Sequence, residues 1–157
     1  MLGECLHTNL SGESKLLELS LHSALRTLLA YGIECSVSLE ELVAYFTGPT
    51  YVGDTIGLSD VLSNELLLLH EVAEICILKK MSYSITQDTI LKAYPNTYYA
   101  HLVAMNIELS EAERRGKRDW VEKRCRDLES YLEDPYLPSN LEAFVHELIS
   151  KYCRRSS

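Results

Sequence analysis

Apolar positions along the chain recur mostly three and four residues apart, the spacing of a helix with one face buried. Residues 14 to 31 place Leu17, Leu21, Ala24, Leu25, Leu28 and Tyr31 on one stripe, and Gly32 follows as a stop. Ser38 and Glu41 form a capping-box pair that opens a helix to Phe46, which Gly48-Pro49 ends. After a loop over 49–58, Ser59 fits the N-cap of a long helix to about Met81. A short helix over 86–93, with Thr86 as cap, stops at Tyr94-Pro95. Two further helices, 96–115 and 118–133, flank Gly116. After Pro135 and Pro138, a second capping box, Ser139 with Glu142, opens a last helix to Tyr152. No Val/Ile/Thr-rich alternating run predicts a strand. The expectation is an all-α single domain over 1–157, a bundle of six or seven helices, with 1–12 and 154–157 flexible.

The central helix holds the least ordinary pattern. Its apolar residues cover more than half its circumference, so it is packed on several sides. Glu65 falls within that apolar face and is expected to be buried and ion-paired. The remaining arc carries H-E-x-x-E: His70, Glu71 and Glu74. His70 and Glu74 share a face at i and i+4, and an imidazole with carboxylates on adjacent turns suits a divalent metal. The second imidazole of the zinc-protease motif is missing. On the 96–115 helix, His101 and Glu108 stand seven apart on one face with the small Ala104 between them. If that face meets the polar arc of the central helix, His70, Glu71, Glu74, His101 and Glu108 converge within a bundle.

Residues 64–75, N-E-L-L-L-L-H-E-V-A-E-I, resemble the metal-binding helix of HD-domain phosphohydrolases, an all-α family in which an apolar run leads into His-Asp. Glu71 stands where that family has Asp, and Glu74 follows it by three residues, as a catalytic Glu does in the nucleotidase-like branch. The resemblance implies that His70 and Glu71 bind a divalent metal, with a distal acid from the 96–115 helix, and that Glu74 orients or activates water. His22 would serve as the first histidine ligand. The implied activity is metal-dependent hydrolysis of small phosphate compounds. The E-x-x-E at 71–74, with a second at Glu108 and Glu111, is also similar to the acidic motifs of all-α nucleotide pyrophosphohydrolases. The contrasting expectation is a non-catalytic helical module that dimerises or binds a partner.

Charge and composition narrow the partners. With 15 basic and 23 acidic residues the net charge is −8, which disfavours nucleic acid. Seven of the basic residues lie between Arg114 and Arg126 around Trp120, but interleaved acids, including Glu122 four before Arg126, fit a solvated helix face. Ten tyrosines against two phenylalanines suit a pocket or an interface. The apolar stripe of the last helix, Leu141, Phe144, Val145, Leu148, Ile149 and Tyr152, is expected either to close the core or to pair with a second copy in a homodimer. The first 15 residues lack the basic and apolar regions of a secretory leader, and no apolar run approaches membrane length. A soluble, cytoplasmic protein is therefore expected. Five widely spaced cysteines without a C-x-x-C pair predict reduced, buried thiols in place of disulfides.

Overall fold

The computed structural model describes residues 4–47, 60 and 63–153; within the first helix, side chains are described at residue 12 and from residue 14 onward. Seven α-helices occur among the described residues, and no strand: α1 Glu4–Ala30, α2 Leu39–Thr47, α3 Glu65–Lys80, α4 Thr89–Lys92, α5 Asn96–Arg114, α6 Arg118–Tyr131 and α7 Glu142–Tyr152, the last preceded by a 3₁₀ turn at Ser139–Leu141. The all-α single-domain expectation holds.

Three of the longer helices end the same way. After α1, Gly32 at φ +80° donates to the Leu29 carbonyl and Ile33 to that of Leu28, both at 3.0 Å. This left-handed Schellman closure caps the last carbonyls, and glycine adopts it without steric cost. Gly116 at φ +69° closes α5 in the same way, with Lys117 donating to Ala112 at 2.8 Å. At the end of α3 the left-handed residue is Ser82, φ +72°, and Tyr83 reaches back to Leu78 at 3.1 Å. Ser38 and Glu41 form their box reciprocally, at 3.0 and 3.1 Å.

Several boundaries differ from expectation. α1 begins at Glu4, inside the stretch expected to be flexible, while residues 1–3 and 154–157 lie outside the described residues, as does the expected loop over 49–58. The predicted cap at Ser59 also lies outside them, but one helix does not run through to 81. Asn64 is extended at φ −141°, and its side chain accepts from the amides of Leu66 and Leu67, so α3 starts afresh there. Glu65 is consequently the first helical residue, where no preceding turn buries it. Its side chain is 85% exposed and pairs with Arg115 Nη1 at 2.9 Å, correcting the expected burial. Thr86 caps no helix: its amide donates to Thr89 Oγ1 at 2.7 Å in a turn, and α4 is a single turn. Ser139 begins the 3₁₀ turn after extended Pro138 and makes no side-chain cap.

α3 and α5 are the central pair. Ala73, Ala100 and Ala104, all fully buried, let their backbones approach. On one side α1 and α2 pack Leu17, Leu21, Leu28 and Leu42 against α3. On the other, α6 and α7 pack Val121, Leu128, Val145 and Leu148 against α5. The stripe of α7 is taken up here: Val145, Leu148 and Tyr152 are buried, and Leu141, Phe144 and Ile149 pack partly against the same core. Of the two expectations for this face, the described residues show the first: it closes this chain's own core. No helix among the described residues is long and apolar enough to cross a membrane.

Cysteine pairing departs from expectation. Cys35 is bonded to Cys76 and Cys125 to Cys153. Sequence spacing hid both pairs because each joins residues brought together only by helix packing. The first ties the α1–α2 connection to α3, and the second ties α6 to the end of α7.

Candidate metal centre

Four helices bring polar side chains into the seam between the two apolar clusters. α3 contributes His70 and Glu74, one turn apart and turned toward α5. α5 contributes His101 and Glu108, two turns apart, with Ala104 leaving room between them. α2 brings Tyr45, and α6 brings Trp120, Arg124 and Tyr131, which fall on one face at i, i+4 and i+11.

Three ligand-type atoms meet. His70 Nε2 lies 3.1 Å from Glu74 Oε2 and 3.0 Å from His101 Nδ1, and His101 Nδ1 lies 3.1 Å from the same Glu74 oxygen. This is a group with the composition and convergence to hold a metal ion. His70 and Glu74 are buried, and His101 has a quarter of its side chain exposed.

Every one of the three has its other polar atom held from behind. Glu74 Oε1 accepts from the Tyr45 hydroxyl. His101 Nε2 is in contact with the Tyr131 hydroxyl. His70 Nδ1 sits 2.8 Å from Glu108 Oε1, too bent for a well-formed hydrogen bond, so attraction between charges carries this contact. Glu108 is fully buried and heavily bonded: Trp120 Nε1 donates to it at 2.6 Å, Arg124 Nε at 2.8 Å and Arg124 Nη2 at 3.0 Å. Partners of this kind fix the orientation of metal-binding side chains.

The protonation states follow from burial set against these contacts. Burial alone would lower His70, but Glu108 and Glu74 outweigh it and raise it to about 9. Burial lowers His101, and the neighbouring His70 charge adds to that. Glu74 would be raised by burial, yet its bonds to His101 and His70 hold it far below the carboxylate range. Glu108, against the same burial, is held down to about 2 by His70 and Arg124. Glu71 has no such partners; burial and the Glu74 charge push it up to about 8.

These shifts set a pH dependence for the metal-free protein. His70 and Glu71 lie above their unfolded values, so the stability they contribute is lost as pH rises toward about 9. Glu74 and Glu108 lie below theirs, so their contribution is lost as pH falls through the acid range. His101, lowered, opposes His70 only below its ordinary value. The metal-free protein is expected to melt several degrees lower at pH 9 than at pH 6 in a calorimetric scan; equal melting temperatures would contradict this charge arrangement.

The sequence-predicted residues thus separate by role. His70, Glu74 and His101 come together. Glu108 stands behind His70, and Glu71, half-buried, makes no hydrogen bond or ion pair among the described residues. His22 is exposed on α1 and takes no part. Glu111 pairs with Arg114 and Arg115. Tyr45 and Tyr131 were not singled out from sequence. Trp120 and Arg124 were read with a solvated basic face, although their spacing with Tyr131 carried the signal of a shared inward face. Among protein-family models, curated proteins and solved structures, none matches this chain.

Proposed function

We propose that this chain is a metal-dependent hydrolase of small phosphate compounds, with a divalent ion held by His70 Nε2, Glu74 Oε2 and His101 Nδ1. The observation that carries the reading is the meeting of these three atoms at 3.0–3.1 Å, each side chain being held from behind by Glu108, Tyr45 or Tyr131. Two histidines and one carboxylate leave coordination positions open, as a catalytic site requires. Such an ion polarises a phosphoryl oxygen and acidifies a bound water. In the hydrolysis, the water oxygen would bond to phosphorus as the ester P–O bond breaks, and the proton that the water gives up would pass through solvent to the leaving oxygen. Glu74, expected from the HD-like pattern to activate water, is assigned here as a ligand. The two disulfides favour an oxidising compartment over a reducing cytoplasm.

Metal uptake tests the reading. Titration calorimetry of metal-stripped protein is expected to give micromolar or tighter binding of one ion of Mn²⁺, Zn²⁺ or Ni²⁺ per chain. His101→Ala, at the most exposed of the three positions, should abolish it and leave the circular dichroism spectrum unchanged. Phosphate release from a simple phosphomonoester should depend on the added ion and vanish in the same variant. No uptake of any of these ions would return the chain to a non-catalytic helical module, with His70, Glu74 and His101 sharing protons.

A further inference from the structure

The two disulfides stand in different relations to the centre. Cys125 lies within α6, whose place is also fixed by buried Val121 and Leu128 and by the Arg124–Glu108 pair. Cys153 lies just past α7, which contributes no residue to the centre. Cys35, by contrast, lies in the non-helical connection between α1 and α2, and Cys76 lies on α3 two residues beyond Glu74. That connection runs into α2, whose buried Tyr45 gives its hydroxyl to Glu74 Oε1. The other polar ties of this region to α3 come from Lys79, to the Ser36 carbonyl at 2.6 Å and to Glu41 at 3.0 Å. Ion pairs so near the surface hold weakly. Ile33, Val37 and Leu42 pack on the core, so a broken bond lets the connection shift without leaving the bundle. Cys76 is fully buried and Cys35 half-buried, so solvent reaches the pair at Cys35.

We propose that the Cys35–Cys76 bond is a redox control on the metal centre: its reduction lets α2 shift, withdraws the Tyr45 hydroxyl from Glu74 and lowers the affinity for the ion. The inference rests on the metal reading above. A dithiol supplies the two electrons. Its thiolate attacks Cys35 Sγ, and Cys76 leaves as a thiolate that takes up a proton. The second thiol of the reductant then closes its own disulfide and releases Cys35 as a thiol. The centre thus keeps its ion in an oxidising compartment and gives it up in a reducing one.

Titration calorimetry with Mn²⁺, Zn²⁺ and Ni²⁺ tests this. The double variant Cys35→Ala, Cys76→Ala removes the bond and leaves no thiol there to bind the ion. It should bind at least about tenfold more weakly than the native protein, the scale of losing a group that orients a ligand. Tyr45→Phe, with the disulfide intact, should lose about as much. Combining all three substitutions should lose no more than Tyr45→Phe alone, because both changes act through one contact. Cys125→Ala with Cys153→Ala should bind as the native protein does. Native protein reduced with a dithiol and then freed of it should reproduce the loss with Mn²⁺, and reoxidation should reverse it. Unchanged affinity without the Cys35–Cys76 bond, losses that multiply with that of Tyr45→Phe, or an equal loss without Cys125–Cys153 would each overturn the inference and leave the metal centre standing. No uptake of any of these ions by the native protein would remove both.

Discussion

Arg124→Met will destabilise the protein by about 3–5 kcal/mol, because it leaves the Glu108 carboxylate buried with its main counter-charge removed. Glu108 has no exposed surface, and Arg124 binds both of its oxygens, at 2.8 and 3.0 Å. A planar guanidinium matches a carboxylate with two parallel bonds, which a lysine ammonium cannot do. Arg124→Lys should therefore recover only part of the loss. The double variant Arg124→Met, Glu108→Gln should recover more, since no buried charge is then stranded. Urea denaturation measures all three. A loss below about 1 kcal/mol for Arg124→Met would mean that Glu108 is solvated or protonated in the folded protein, contrary to a carboxyl held near 2. The same variant bears on the centre, because Glu108 orients His70 only while it is itself held. Weaker metal binding in Arg124→Met than in the parent is the expected companion result.

Local chemistry explains which parts of this architecture the sequence disclosed. Gly32 and Gly116 announced the ends of α1 and α5, because the left-handed closure needs a residue without a side-chain penalty. The same closure after α3 uses Ser82 and had no such marker. Asn64 starts α3 through two amide contacts that depend on the extended backbone at that residue, and helical periodicity does not register them. The centre was legible as far as helical periodicity reaches. His70 with Glu74, and His101 with Glu108, were each placed on one face by spacing alone. Which atoms converge depends on how α3 meets α5, and that is set by packing of Ala73, Ala100 and Ala104. The role of α6 was hidden for a different reason. Its exposed charges are as numerous as those of any solvated helix, and the inward set of Trp120, Arg124 and Tyr131 is recognisable only once Glu108 is known to be buried and to need a cation. The position of Glu65 was misread because a helical wheel takes no account of where the helix begins.

The second large effect concerns the two disulfides, which periodicity could not reveal at all. Cys35–Cys76 closes a separation of 41 residues and Cys125–Cys153 one of 28. By the loop-entropy relation, each should stabilise the fold by about 3.5–4 kcal/mol, chiefly by restricting the unfolded chain. Both bonds join parts of the fold that carry the centre. Cys76 lies two residues beyond Glu74, and its bond anchors the segment that leads into α2 and Tyr45. Cys125 lies beside Arg124. The anchoring is shared: Lys79 also holds that segment, through the Ser36 carbonyl at 2.6 Å and Glu41 at 3.0 Å. Reduction is therefore expected to lower stability strongly without dismantling the bundle. At about 2–4 °C per kcal/mol for a chain of this size, breaking both bonds should lower the melting temperature by about 15–30 °C. Cys35→Ser and Cys125→Ser singly should each produce roughly half of that fall, in proportion to the loop released. Alkylation of the unfolded protein without reductant should leave Cys35, Cys76, Cys125 and Cys153 unlabelled in a peptide map, and prior reduction should expose all four. Labelling of these cysteines without reductant, or a melting temperature unmoved by reductant, would show that they are thiols in the folded protein and that packing alone holds α6 to α7 and the α1–α2 connection to α3.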